Sequence, residues 1–94
     1  LVVGRLKVSM PTIKILYFAK LRDQLGCAEE AFELASDSCS VSELKKTLAE
    51  RDSAWQQIFT ESQVLVAVNK AMANTETLIQ AGDEVGFFPP VTGG

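Results

Sequence analysis

Histidine is absent from this chain of 94 residues, and cysteine occurs only twice, at Cys27 and Cys39. Without histidine the chain has no Ser-His or Cys-His pair for nucleophilic catalysis. Two cysteines are also too few for a zinc site or for the disulfide scaffold of a small secreted protein. We therefore interpret both cysteines as free thiols in a reducing compartment, and we predict a cytoplasmic protein.

Other features of catalytic and binding sites are missing as well. No glycine-rich loop joins a strand to a helix, so the chain has no phosphate cradle of a known type. The neighbouring carboxylates Glu29-Glu30 and Asp83-Glu84 lie in turns or at strand starts, where charges are normally solvated. The net charge of −3, without a basic cluster, argues against a nucleic-acid partner. No apolar run is long enough to span a membrane. Because the usual catalytic features are missing, we predict that the chain is not an enzyme on its own.

The composition is that of a single globular domain, because 47% of the residues are hydrophobic and 22% are charged. Residues 1–9 have neither the apolar core nor the cleavage site of a signal peptide. We interpret them as an upstream extension or cloning remnant before a natural start at Met10. We predict a globular domain over residues 10–88 and an extended tail over residues 89–94.

The apolar pattern predicts five strands and one main helix. In chain order we predict strands over residues 12–19 and 29–35, a helix capped by Ser40 and Glu43, strands on either side of Asn69-Lys70, and a last strand through Phe88. Shorter helical turns are predicted before Gly26 and around Trp55 to Phe59. The order β, β, α, β, β, β predicts an α+β protein with a β-grasp, ubiquitin-like fold. In that fold one helix crosses a mixed sheet of about five strands, and the first and last strands are neighbours.

The ending "FFPPVTGG" is unlike the polar, dispensable terminus of most domains. Pro89-Pro90 prevents further strand pairing and stiffens the chain as it leaves the sheet. The last four residues extend at most ~14 Å further. Two glycines at the end fit a narrow channel and leave the terminal carboxyl group sterically open. A carboxylate becomes a good acyl donor only when a partner adenylates it, so we predict that Gly94 carries the reactive group.

Three stretches, "IKILYFAKLRDQLG", "AVNKAMA" and "GDEVGFFPPVTGG", resemble the small sulfur-carrier subunits of molybdopterin synthases, which are ubiquitin-like sulfur carriers. The resemblance runs from about Met10 to Gly94. It implies that an ATP-consuming, ubiquitin-activating-like adenylyltransferase adenylates Gly94, and that a sulfur donor system converts it to a thiocarboxylate. It also implies that no cofactor is bound stably.

The resemblance further implies a large-subunit partner, in a heterotetramer of two small and two large subunits. The tail would insert into the large subunit, whose side chains catalyse sulfur transfer to a cyclic pyranopterin precursor of molybdopterin. The tail residues are Pro89, Pro90, Val91, Thr92 and Gly93. Three apolar residues, Phe18, Met72 and Phe88, match positions that the family uses for docking. By strand alternation Phe18 and Phe88 lie off the core face of adjacent strands, as a shared exposed patch.

Other interpretations remain open at this point. A protein modifier that forms isopeptide bonds with lysines needs the same fold, the same Gly94 and the same activation. A carrier for thiazole synthesis or tRNA thiolation is a near relative of the first interpretation, and an inert adaptor would leave the glycines incidental. The aromatic pair has an alternative too, since residues 1–9 or a loop would also cover it. We assign no sulfur-transfer role to Cys27 or Cys39.

Overall fold

The computed structural model describes residues 11–61 and 63–89. The predictions for residues 1–9, for Met10 and for residues 90–94 lie outside the described residues. The strands are β1 Thr12–Tyr17, β2 Glu29–Glu33, β3 Ser38–Ser40, β4 Leu65–Val68, β5 Ala71–Met72, β6 Leu78–Gln80 and β7 Glu84–Phe88. The helices are α1 Lys20–Leu25, α2 Val41–Ala49 and α3 Ser53–Gln56, and a π-helical turn over Gln57–Glu61 follows α3.

Five strands form one mixed sheet in the order β2-β1-β7-β4-β5. β1 and β7 are parallel neighbours, with Ile15 opposite Val85, whereas β2, β4 and β5 join the sheet antiparallel. This arrangement confirms the predicted β-grasp fold. The strands β3 and β6 pair in a second small sheet that the sequence pattern did not predict. Each has only three residues, too few for alternation to be recognised.

One apolar core lies between the sheet and the helices. The side chains of Val41, Leu44 and Leu48 in α2 are fully buried there. The sheet contributes the buried face of its two central strands, formed by Ile13, Ile15, Tyr17, Val85 and Phe87. The buried residues of α2 recur with the helical period, and those of β1 and β7 alternate along each strand. No helix in the described part of the chain is long and apolar enough to cross a membrane.

The predicted cap of α2, the end of α1 and the turn between β4 and β5 are also confirmed. Ser40 Oγ accepts a hydrogen bond from the Glu43 backbone N–H at 3.1 Å, and Glu43 Oε1 accepts one from the Ser40 N–H at 2.9 Å, which is a complete capping box. Gly26 ends α1 in the left-handed conformation. Asn69 and Lys70, with φ of 52° and 69°, form the turn between β4 and β5, because a two-residue hairpin of this twist needs positive φ at both positions.

Two predicted strands are shorter in the structure. The strand predicted over residues 12–19 ends at Tyr17, because Ala19 adopts φ 54° and ψ −129°, which no strand accommodates. The strand predicted over residues 29–35 ends at Glu33. One backbone hydrogen bond continues the pairing past Glu33, because the Leu34 N–H donates to the Pro11 carbonyl at 2.8 Å.

A polar cluster joins the sheet to the end of α2. The Tyr17 hydroxyl donates to Glu30 Oε2 at 2.6 Å, and both terminal nitrogens of Arg51 donate to the Glu30 carboxylate at 2.9 Å. The guanidinium group lies over the Trp55 ring, 4.4 Å from its centroid. Burial raises the pKa of Glu30, but the hydrogen bonds from Arg51 and Tyr17 outweigh it and hold the pKa below its usual range.

Replacing Glu30 with glutamine should reduce the dependence of stability on acid pH. The lowered pKa means that the folded state binds fewer protons than the unfolded state, so Glu30 stabilises the fold above its ordinary pKa of about 4.3. That contribution disappears as the pH falls through the lowered pKa of the folded state. We expect Glu30→Gln to lower the unfolding free energy at pH 7 by about 1–2 kcal/mol and to flatten its decline in acid.

Urea denaturation between pH 3 and 7 measures both effects. Glu33→Gln is the matched control, because Glu33 is exposed on the same strand and makes no ion pair with a described residue. An acid profile of Glu30→Gln parallel to that of the parent chain would contradict the assignment.

Candidate functional site

The outer face of the five-stranded sheet carries a continuous apolar surface. Strand register aligns Leu16, Gly86, Ala67 and Met72 in one row across β1, β7, β4 and β5. The adjoining row places Phe18 beside Phe88 and Phe88 opposite Leu65. Because side chains alternate along a strand, all seven residues lie on the face opposite the core. We call this surface the outer apolar face.

Phe18 and Phe88 are the centre of the outer apolar face. Their rings stack with centroids 4.7 Å apart and planes 7° from parallel. Gly86 lies beneath them, and a Cβ atom there would be 3.0 Å from Phe18 Cε2, so the missing side chain lets the rings lie close to the sheet. Phe18 remains 38% exposed and Met72 68% exposed. The structure therefore brings the predicted pair together off the core face, and no described loop buries it.

Charged side chains border the outer apolar face on one side. Lys14 lies opposite Glu84 in the register of β1 and β7, and Lys70 is exposed in the adjacent hairpin turn. Asn69 fixes this end of β7, because its side-chain amide donates to Asp83 Oδ1 at 3.1 Å and its Oδ1 accepts from the Glu84 N–H at 3.0 Å. An apolar centre with a polar border on one side is typical of a surface that binds another protein.

Ala19 determines how the chain leaves Phe18. Its φ of 54° and ψ of −129° lie in a region that side-chain-bearing residues rarely adopt. The Phe18 N–H donates to the Phe87 carbonyl at 3.1 Å, and the Phe18 carbonyl accepts from the Leu21 N–H at 3.1 Å. Phe18 is thus held by β7 on one side and by the buried Leu21 of α1 on the other. The strained residue between them turns the chain sharply into the helix.

The predicted tail starts directly beside this surface. Phe88 is the last residue of β7, and the half-buried Pro89, which has no N–H to donate, follows it. The further tail residues, Pro90, Val91, Thr92, Gly93 and Gly94, lie outside the described residues. The tail thus leaves β7, an inner strand of the sheet, within one residue of the aromatic pair.

The two thiols lie away from the outer apolar face. Cys27 and Cys39 are both half-buried and free of disulfides. Burial raises the pKa of both thiols, and the Glu30 carboxylate near Cys27 and the Glu43 carboxylate near Cys39 raise it further. Raised pKa values lower the thiolate fraction and hence the reactivity. Within residues 11–61 and 63–89, no three His, Cys, Asp or Glu side chains are grouped to hold a metal ion.

Sequence reasoning did not assign four residues to the outer apolar face, namely Leu16, Leu65, Ala67 and Gly86. Alternation alone places Leu16 with Phe18. Alternation likewise places Gly86 with Phe88. Leu65 and Ala67 follow only from the pairing of β4 with β7, which a sequence pattern does not specify.

Comparison with known proteins identifies the family. The sequence profile of the ThiS family matches residues 15–94 of the chain. The chain belongs to the ThiS family. This ThiS-family chain is 38% identical over 82 residues to the molybdopterin synthase sulfur carrier subunit of Escherichia coli (strain K12), a match that covers 87% of this chain and 99% of the relative. The resemblance noted in the sequence is therefore confirmed.

Solved structures agree with this assignment. The putative molybdopterin converting factor, subunit 1, from Pyrococcus furiosus superposes with a TM-score of 0.70 at 28% identity, covering 85% of this chain and 98% of that one. SAMP1 from Haloferax volcanii also shares the fold, with a TM-score of 0.69 at 22% identity, and the match covers 88% of this chain and 99% of that one. A chain in the complex of subunits 1 and 2 of molybdopterin-converting factor from Helicobacter pylori 26695 shares the fold as well. Its TM-score is 0.57 at 23% identity, and the match covers 88% of this chain and 99% of that one.

Replacing Ala19 with glycine should stabilise the protein. Glycine adopts this backbone conformation without the steric cost of a Cβ atom, and we expect a net gain of about 1 kcal/mol after the entropy cost of glycine. Urea denaturation with an unchanged slope measures the gain. Ala31→Gly, in the exposed middle of β2, is the control and should destabilise by about 0.5–1 kcal/mol. Equal losses in both variants would mean that Ala19 is not strained.

Proposed function

We propose that this ThiS-family chain is a sulfur carrier that acts as the small subunit of a molybdopterin synthase. The observation that carries the proposal is the 38% identity to the Escherichia coli sulfur carrier subunit over 99% of that subunit's length. The family profile also matches through the terminal Gly-Gly. The outer apolar face beside the start of the tail gives further support, since a carrier must dock on a partner and deliver its end.

In this proposal Gly94 is the chemical centre. Its carboxylate attacks the α-phosphate of ATP on an activating enzyme, which forms an acyl-adenylate and releases pyrophosphate. A sulfur nucleophile at the oxidation level of sulfide then displaces AMP and leaves a thiocarboxylate. No side chain of this chain is needed for either step. The raised pKa of both thiols supports leaving Cys27 and Cys39 without a part in the transfer.

In the proposed complex with the large subunit, the predicted docking and tail residues make the contacts. Phe18, Met72 and Phe88 dock on the large subunit, and residues 89–93 enter its active site as an extended strand of chain. Side chains of the large subunit then catalyse the transfer of sulfur to a cyclic pyranopterin precursor. The existence of a Helicobacter pylori complex of subunits 1 and 2 with the same fold supports a large-subunit partner.

The tail proposal is tested by mass spectrometry of the C-terminal peptide. After incubation with ATP, the activating enzyme and a sulfur donor, we expect one oxygen of Gly94 to be replaced by sulfur. Deletion of Gly94, or Gly93→Leu, should abolish this change. Both residues belong to the predicted tail beyond the globular domain, so we expect the midpoint of thermal unfolding to be unchanged.

Two results would contradict the proposal. One is sulfur loading that persists in both variants. The other is an isopeptide bond from Gly94 to lysines of other proteins in cell extracts, without any thiocarboxylate, which would identify a protein modifier instead.

Phe88→Ala tests the docking surface. Because Phe88 is half-buried against the outside of the sheet rather than in the core, we expect a loss of about 1 kcal/mol in stability. Affinity for the large subunit should fall at least tenfold, as for a central aromatic anchor of an interface. Calorimetric titration of the folded variant measures this.

Leu78→Ala is the matched control for Phe88→Ala. Leu78 is 60% exposed and lies on the small sheet, away from the outer apolar face. An equal loss of affinity in both variants would show that Phe88 is not part of the interface with the large subunit.

A further inference from the structure

The free edge of β2 is a second surface with the features of a binding site. β2 is the outermost strand of the five-stranded sheet and pairs only with β1 among the described strands. The Tyr17 N–H donates to the Ala28 carbonyl at 2.8 Å, and the Leu34 N–H donates to the Pro11 carbonyl at 2.8 Å. In an antiparallel ladder such bonded positions alternate. The even-numbered residues of β2 therefore bond to β1.

The odd-numbered residues of β2 direct their backbone groups outward. These residues are Glu29, Ala31 and Glu33. The Glu29 carbonyl accepts a contact from the Cys27 thiol at 3.6 Å. The N–H and C=O groups of Ala31 and Glu33 have no hydrogen-bond partner within the described residues. They form a template for one more strand, because an added chain satisfies its own backbone by pairing with such an edge.

A groove lies next to this edge on the helix side of the sheet. Its volume is about 390 Å³, and it is open on one side. Its apolar floor consists of Phe32 and Leu34 from the sheet, Cys39 from β3 and Leu44 from α2. A strand added to β2 would point every second side chain toward this groove. The groove is large enough for one aliphatic or aromatic side chain.

The charges around the groove indicate which kind of added strand would bind there. Glu33 and Glu43 line it, and Asp37 is exposed in the adjoining loop. None of these three carboxylates forms a salt bridge with a described residue. Among the described lining residues, Lys46 is the one cation. The excess of negative charge favours a basic segment. It disfavours a second copy of this chain, because pairing two β2 edges would set glutamates against glutamates.

We propose that the free edge of β2 binds an extended segment of a partner protein in which basic and apolar residues alternate. The segment adds a sixth strand beside β2 and places an apolar side chain in the groove. This site lies on the helix side at one edge of the sheet, whereas the outer apolar face covers the other side. A partner at β2 therefore leaves Phe18 and Phe88 free. The proposal does not depend on sulfur transfer.

The test uses the full chain and a capped seven-residue peptide of alternating lysine and valine, followed by NMR. We expect amide shifts at Ala31, Glu33 and along the groove side of α2. A peptide with glutamate in place of lysine should bind at least tenfold more weakly. N-methylation of every peptide amide should abolish binding without any change to the protein.

Two variants locate the site. Ala31→Pro removes an outward N–H that takes no part in the β1–β2 ladder, so the fold should persist and peptide affinity should fall at least tenfold. Glu33→Lys should weaken binding about threefold and strengthen binding of the glutamate peptide. Glu50→Lys is the matched control, because Glu50 is exposed at the end of α2 outside the groove, and it should leave both affinities unchanged.

Three outcomes would overturn the proposal. Shifts confined to Phe18, Met72 and Phe88 would place the peptide on the outer apolar face. Affinity that survives both Ala31→Pro and N-methylation would exclude strand addition. Binding that is seen only after Arg5 and Lys7 are changed to glutamate would assign the groove to the chain's own N-terminal residues instead of a partner.

Discussion

The parallel pairing of β1 with β7 is the contact on which the rest of the structure depends. It joins the first strand to the last, and it sets Tyr17 opposite Phe87 in the core. One residue further on, the same register sets Phe18 beside Phe88 on the outer apolar face. The chain then leaves the sheet at Pro89. A single register thus creates the core, the outer apolar face and the starting point of the tail.

Much of this arrangement was predictable because it follows from short-range rules. Alternation placed Phe18 and Phe88 off the core face, and the capping box at Ser40 located α2. The features that were missed depend on contacts between distant residues. Glu30 and Arg51 are 21 positions apart and meet only after the strand and helix have packed. The backbone of Ala19 is equally unpredictable, since alanine gives no local signal for positive φ and tertiary contacts on both sides impose it.

The fold by itself does not separate the possible functions. The β-grasp architecture is shared by a converting-factor subunit and by SAMP1. The features that favour the proposed sulfur transfer are therefore the similarity to sulfur carrier subunits and the terminal Gly94. The two surfaces described above differ in what they require of a partner. The outer apolar face offers stacked rings, whereas the edge of β2 offers backbone groups and negative charge. In the proposed function the carrier meets more than one protein, and two independent contact surfaces suit that role.

Trp55 is the only tryptophan in the chain, and its surroundings give the protein an internal optical reporter. It is buried at 8% exposure, touches the edge of Tyr17 with centroids 5.5 Å apart, stacks near Phe59 at 6.0 Å and lies under the Arg51 guanidinium. It is not part of the outer apolar face. Its fluorescence should therefore follow the melting of the core and stay silent when a partner covers Phe18 and Phe88, so unfolding and association can be read separately in one sample.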